Sequence, residues 1–136
     1  MLPRVGAETK ETATKSCDER KETLMGQLDQ FRETLATYRK YGWQLARVLM
    51  RAGTLEELRA ATGEARFDSV EAREFPFDAM WFVRPSAGAR EAWELRLVGD
   101  SPYALLEIFE PDEAEEDRED VRREMEAKMK ERLNVE

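Results

Sequence analysis

Apolar residues recur at alternating intervals of three and four along the first half of the chain. This is the spacing of core positions in a heptad repeat, and it predicts a coiled-coil helix over residues 18–52. A stripe this narrow leaves most of the helix polar, so we expect a second helix to cover it. The stripe, called the seam below, is the predicted oligomer interface. Its members are Leu24, Leu28, Phe31, Leu35, Tyr38, Leu45 and Leu49.

The pattern changes to alternation of apolar and polar residues in the second half of the chain. Residues 80–83 form a short apolar run, residues 93–98 alternate, and residues 103–109 are apolar at most positions. Short strands separated by turn residues predict a small antiparallel sheet of three to four strands. After Pro111, apolar residues four apart predict a C-terminal helix. They are Val121, Met125, Met129 and Leu133.

These patterns divide the chain into three parts and place it in the α+β class. Residues 1–17 lack periodicity and are predicted to be a flexible tail. The long coiled-coil helix follows, and residues 54–136 form a small α+β globular domain with its C-terminal helix. Gly63 is expected to end a short helix that begins near Thr54.

Charge is unevenly distributed along the 136 residues, whose formal net charge is −8. Residues 1–62 hold 11 Lys and Arg against 9 Asp and Glu, whereas residues 63–136 hold 11 against 21. The acidic half is unsuited to gripping a phosphate backbone. The predicted helix is locally basic at Arg39, Lys40, Arg47 and Arg51. Its basic residues are interpreted as a solvated face, with contact to nucleic acid or an acidic protein as the alternative.

The residues that most enzyme sites require are scarce in this sequence. There is no histidine, one cysteine (Cys17), and no glycine-rich phosphate-binding motif. We therefore expect no catalytic residues, no cofactor and no metal. The acidic run over residues 110–120 is interpreted as a solvated helix start. No stretch approaches the length of a membrane span, and the lone cysteine fits a reducing compartment. The sequence thus predicts a soluble intracellular protein, cytoplasmic or nuclear.

Large aromatic rings are numerous for so small a predicted sheet. Most should lie in the core, and a surplus ring at an edge would mark a docking surface. Together with the basic residues they give the predicted partner-binding candidates. These are Arg39, Lys40, Arg47, Phe75, Phe77 and Trp81.

The stretch from Phe75 to Pro111 carries a family resemblance. It opens on a Phe-x-Phe pair, continues through residues 83–85 and 93–97, and passes Pro102 before it leaves at Pro111. In this order of elements the chain resembles the RWD-type globular ends of kinetochore coiled-coil proteins, including the Spc subunits of the Ndc complex and monopolin-like proteins. The resemblance implies a dimeric scaffold whose small head docks other subunits of a complex.

The function expected from the sequence is that of a non-catalytic assembly or scaffold subunit. It would dimerise or hetero-oligomerise through the seam and dock protein partners with its α+β head. The helix positions beside the seam do not pair charges cleanly, which favours a heteromer or a larger bundle. Two alternatives stay open. One is a nucleic-acid-associated adaptor that uses the basic helix. The other is a small monomeric regulatory or inhibitor protein whose helix folds back on the sheet.

Overall fold

A computed structural model describes residues 19–99 and 102–133, with side chains from residue 26 onward. Three α-helices and six β-strands account for most of this part of the chain. The helices are α1 (Glu19–Lys40), α2 (Ala52–Thr62) and α3 (Glu115–Leu133). The strands are β1 (Gln44–Met50), β2 (Arg66–Phe67), β3 (Val70–Glu74), β4 (Ala79–Pro85), β5 (Glu91–Leu97) and β6 (Ala104–Phe109).

The six strands form one mixed sheet in the order β2-β3-β1-β4-β5-β6. Strands β1 and β3 run parallel and are connected through α2 and β2, while the other neighbours are antiparallel. The predicted small antiparallel sheet of three to four strands is therefore wrong. The meander from β4 to β6 is antiparallel, but β1 lies in the middle of the sheet and adds a parallel crossover.

The predicted long N-terminal coiled coil is also wrong, because the helix ends at Lys40. Gly42 has a φ of +88°, and the amides of Gly42 and Trp43 donate to the carbonyls of Arg39 and Tyr38 at 3.0 Å. This pair of bonds is the Schellman arrangement that closes a helix C-terminus with a left-handed glycine. The heptad spacing continues past Gly42 only by coincidence. Leu45 and Leu49 belong to β1.

The first part of the seam packs on the sheet of its own chain. Leu28, Phe31, Leu35 and Tyr38 are buried against the face formed by Val48, Met50, Met80 and Phe82. The Tyr38 ring stacks on Phe82 with 4.1 Å between centroids, and its hydroxyl donates to Glu94. A sheet face four strands wide hides a helical stripe as well as a partner helix does, so the spacing alone does not separate the two. We call the face of the sheet on which α1 packs the helix-side face.

Helix α3 covers the opposite face of the sheet. Met125 and Met129 are buried there with Trp81 and Leu95. The indole nitrogen of Trp81 donates to Glu126 at 2.9 Å, so a buried carboxylate on α3 is satisfied by a buried ring. The two faces thus enclose separate cores, and both depend on β1 and β4 at the centre of the sheet.

A buried carboxylate ties three elements together at the start of β4. Asp78 is 3% exposed and accepts hydrogen bonds from the side chains of Gln27 at 2.8 Å and Thr54 at 3.0 Å. The backbone amide of Arg51 donates to it at 2.8 Å and the guanidinium at 3.2 Å. Asp78 therefore fixes the start of α2 and the inner side of α1 against the sheet.

Candidate interaction surface

Among the described residues, strand β6 lies at one of the two edges of the sheet and pairs only with β5. Its six residues, Ala104–Phe109, are matched continuously with Glu91–Arg96, without a bulge. The other edge strand, β2, is only two residues long. A regular edge strand of this length presents unpaired backbone groups to which another strand can be added.

The free backbone groups of β6 can be assigned from the register of the β5–β6 pair. The amide of Leu97 donates to the carbonyl of Tyr103 at 2.9 Å, and these two residues lie opposite each other in the register that pairs Arg96 with Ala104. Bonded and non-bonded pairs alternate along an antiparallel ladder. Residues 103, 105, 107 and 109 therefore bond to β5. The N–H and C=O groups of Ala104, Leu106 and Ile108 point away from the sheet.

The same three residues carry exposed side chains on the helix-side face. Leu106 is 55% exposed and Ile108 is 39% exposed, and Ala104 is exposed beside them. Strand β6 contributes no residue to the helix-side core, because α1 and α2 lie over the other half of the sheet. Two aliphatic side chains on an uncovered edge form an apolar patch that a partner would bury.

An exposed aromatic ring lies near one end of this patch. Tyr41, in the turn after α1, is 63% exposed. Its carbonyl accepts a hydrogen bond from Arg84 at 2.7 Å, and the Arg84 guanidinium lies 4.5 Å from the Trp43 ring centroid. Arg84 pairs with Ala92, and Ala92 with Ile108, across neighbouring strands. The open part of the helix-side face thus extends from the edge to the end of α1.

The structure places the predicted oligomer interface mostly inside the molecule. Leu28, Phe31, Leu35 and Tyr38 lie in the helix-side core, and Leu45 packs against it. Leu49 is fully buried in the other core. The side chain of Leu24, and Cys17, lie outside the described residues. The residues of the seam are therefore not gathered on a free surface in this structure.

The basic residues predicted to contact a partner are dispersed and mostly paired. Arg39 forms an ion pair with Asp68, and Arg47 donates twice to Glu119, at 2.8 and 3.1 Å. Arg51 pairs with Asp78. Lys40 is exposed at the end of α1. These side chains do not form the continuous basic stripe that tracks a nucleic-acid backbone.

The aromatic candidates lie on the face that α3 covers. Trp81 and Phe77 are buried, and Phe75 is partly buried with its ring 5.0 Å from that of Phe77. Arg73 lies over the Phe75 ring at 5.1 Å. Their surroundings show that these rings mainly serve the core between the sheet and α3.

The charged side chains of α3 are used to hold it on the sheet. Arg122 is 2% exposed, lies 3.9 Å from the Trp93 ring centroid, and donates to Glu115 at 2.7 Å and Glu119 at 2.8 Å. The hydrogen bond from Arg47, followed by that from Arg122, lowers the pKa of Glu119 to about 2. The hydrogen bond from Arg122 also lowers the pKa of Glu115. Part of the predicted solvated acidic run is thus a docking contact within the chain.

The described residues show no group of three or more Asp, Glu, His or Cys side chains arranged to hold a metal ion. A shallow groove of about 360 Å³ lies between α1, α2 and β2. Two of its arginines, Arg32 and Arg39, pair with Asp29 and Asp68. None of the helices in the described ranges is both long and apolar enough to cross a bilayer.

Comparison with known proteins adds no relative from which a function can be inferred. No protein-family model matches the chain, and neither curated proteins nor solved structures give a significant match. The resemblance to RWD-type heads therefore stays a hypothesis, and the candidate surface depends on its geometry alone.

Sequence reasoning did not single out Leu106, Ile108 or Tyr41. The available signal was the composition of residues 104–109, of which only Glu107 is polar. A strand that is apolar on both faces is normally covered on both. Recognising the patch required the strand order, which places β6 at an edge of the described sheet. It also required the positions of α1 and α2, which pack over the other half of the helix-side face.

Proposed function

We propose that this chain is a non-catalytic protein–protein interaction module that binds a protein partner along the free edge of β6. One observation carries the proposal. Leu106 and Ile108 combine outward-pointing backbone groups with exposed aliphatic side chains on a regular edge strand. Main-chain bonds to an added strand would supply affinity, and contacts to alternate side chains would supply selectivity.

The proposal retains the assembly role expected from the sequence but moves the contact from the helical seam to the sheet. It is supported by the burial of Leu28, Phe31, Leu35 and Tyr38 within the chain. Within the described residues, the exposed large aliphatic side chains are those of Leu106 and Ile108 on β6. The alternative of a small regulatory protein shares this geometry, since its helix also lies on its own sheet. The two roles differ in the partner, and both would use the same edge.

The backbone of Leu106 offers a specific test. Its N–H points away from β5, so Leu106→Pro removes an outward donor without removing a bond of the β5–β6 ladder, a position where edge strands accept proline. Leu106→Thr also shortens the apolar side chain but keeps the donor. Comparing the two variants separates main-chain pairing from side-chain contact.

The measurement is selection of peptides from a random extended library, displayed on phage and panned against the full chain at low concentration. Selected peptides should carry apolar residues at alternate positions. We expect them to bind the wild-type chain, more weakly to Leu106→Thr, and not to Leu106→Pro, with all three chains showing the same circular dichroism. No enrichment, or equal binding to the proline variant, would contradict the proposal.

A further inference from the structure

The edge of β6 matches itself in one particular register. In an antiparallel pair of identical strands, outward-pointing residues must face outward-pointing residues. Three positions of a two-fold axis then pair at least two of Ala104, Leu106 and Ile108 with one another. The axis can pass through residue 105, 106 or 107. The side chains at these positions distinguish the three arrangements.

Two of the registers contain a clear defect. An axis through residue 107 places Glu107 directly opposite Glu107 of the second copy, and like charges in that position are destabilising. An axis through residue 105 brings Ile108 opposite Pro102, which has no N–H to donate to the ladder. The first of these registers is therefore destabilised by charge repulsion, and the second lacks a backbone hydrogen bond.

The third register has neither defect. With the axis through residue 106, Leu106 faces Leu106, and the small Ala104 faces the larger Ile108 at both ends. The outward N–H and C=O groups of all three residues then find partners. The two Glu107 side chains become diagonal neighbours, and each approaches the position of Tyr103 in the other copy. Arg132 lies there, 4.7 Å from the Tyr103 ring centroid, so opposite charges meet on the α3 side of the interface.

From this self-complementarity we infer that the partner at β6 is a second copy of the same chain. Two copies join antiparallel through Ala104–Phe109, centred on Leu106, into one continuous sheet of twelve strands. The inference rests on the proposed function, since it names the partner of the same edge. The register leaves the outward backbone groups of β6 without a partner in the described sheet, and the side chains of Leu106 and Ile108 are exposed, so the pairing uses the fold as it stands.

Because residue 106 faces itself in this register, a charge swap tests the inference directly. Leu106→Asp places two carboxylates in opposition, and Leu106→Lys places two ammonium groups there. The position is exposed in the single chain, so neither substitution disturbs the core. A mixture of the two variants restores opposite charges across the axis.

The measurement is sedimentation equilibrium of the full chain from low micromolar to submillimolar concentration. We expect the wild type to dimerise reversibly and each variant alone to bind itself at least about tenfold more weakly. The mixture should recover a dimer that contains one copy of each variant. Wild-type sedimentation as a monomer throughout, unchanged dimerisation of Leu106→Asp, or failure of the mixture to recover would each overturn the inference.

Failure of this inference can be distinguished from failure of the proposed function. A wild-type monomer that still binds selected peptides through Leu106 would show that the edge takes a foreign strand rather than a second copy. A monomer that binds no peptide would be expected if the chain's own residues occupied the edge, and both proposals would then fall.

Discussion

Asp78 shows how one buried charge fixes several elements at the residue scale. Its carboxylate accepts from two side chains and from the backbone and guanidinium of Arg51. A buried carboxylate with this many donors is well compensated, but a partial loss of donors or charge leaves unmatched groups in a low-dielectric site. The residue is therefore more important for stability than an exposed aspartate.

Replacement of Asp78 by asparagine tests the importance of this carboxylate for stability. The amide nitrogen would face donors that it cannot accept from, so we expect Asp78→Asn to lower the free energy of unfolding by about 2–4 kcal/mol. Urea denaturation measures the change. Asp120→Asn is the matched control, because Asp120 is exposed and pairs only with Arg123 along one helix turn; its effect should stay below about 0.5 kcal/mol. Equal effects of the two variants would remove Asp78 from this role.

At the scale of elements, some sequence patterns are sufficient to predict a helix or strand, and others are compatible with both. The apolar run at Met80–Val83, the alternation near Trp93 and the helix after Pro111 all correspond to observed elements. Gly63 ends α2 in a left-handed conformation, as predicted. The predicted coiled coil over residues 18–52 fails at Gly42, where the left-handed glycine ends the helix.

The sequence pattern did not predict strand β1, because this strand lies in the middle of the sheet. Val48 and Met50 enter one core and Leu49 enters the other, so the strand is apolar on both sides. Such a run does not alternate, and it is easily taken for a helix that becomes apolar on several faces. Its parallel pairing with β3 likewise leaves no local signal, because it depends on residues more than 20 positions apart.

The packing of helix α1 on the sheet can be tested by placing charges in its buried stripe. Leu28→Asp combined with Leu35→Asp places two charges in the helix-side core, where each costs several kcal/mol. Since a domain of this size is stable by only about 5–15 kcal/mol, we expect the whole domain to unfold rather than merely lose a partner. Thermal unfolding followed by circular dichroism measures this.

Two exposed positions of the same helix supply the control. Ala36 and Thr37 face solvent, so Ala36→Asp with Thr37→Asp should leave a cooperative transition. A cooperative, native-like transition in the Leu28 and Leu35 variant would instead mean that α1 is separable from the sheet.

At the scale of the whole molecule, the fold determines which apolar surface is left over. Helices α1 and α2 cover one half of the helix-side face, and α3 covers the opposite face. In the part of the chain that the structure describes, the outer half of the helix-side face, bounded by β6, stays uncovered. The residue types of this surface were visible in the sequence, but its exposure follows from strand order, which no local pattern encodes.

Both proposals require that the edge of β6 is open and that Ala104, Leu106 and Ile108 face outward. Residue-resolved amide hydrogen exchange by NMR, on dilute and then on concentrated samples, tests it most directly. We expect fast exchange at residues 104, 106 and 108 and slow exchange at residues 105, 107 and 109 in the dilute sample. In the concentrated sample, the amides of residues 104, 106 and 108 should become protected. Uniform exchange along β6, or slow exchange at 104, 106 and 108 that does not depend on concentration, would contradict it.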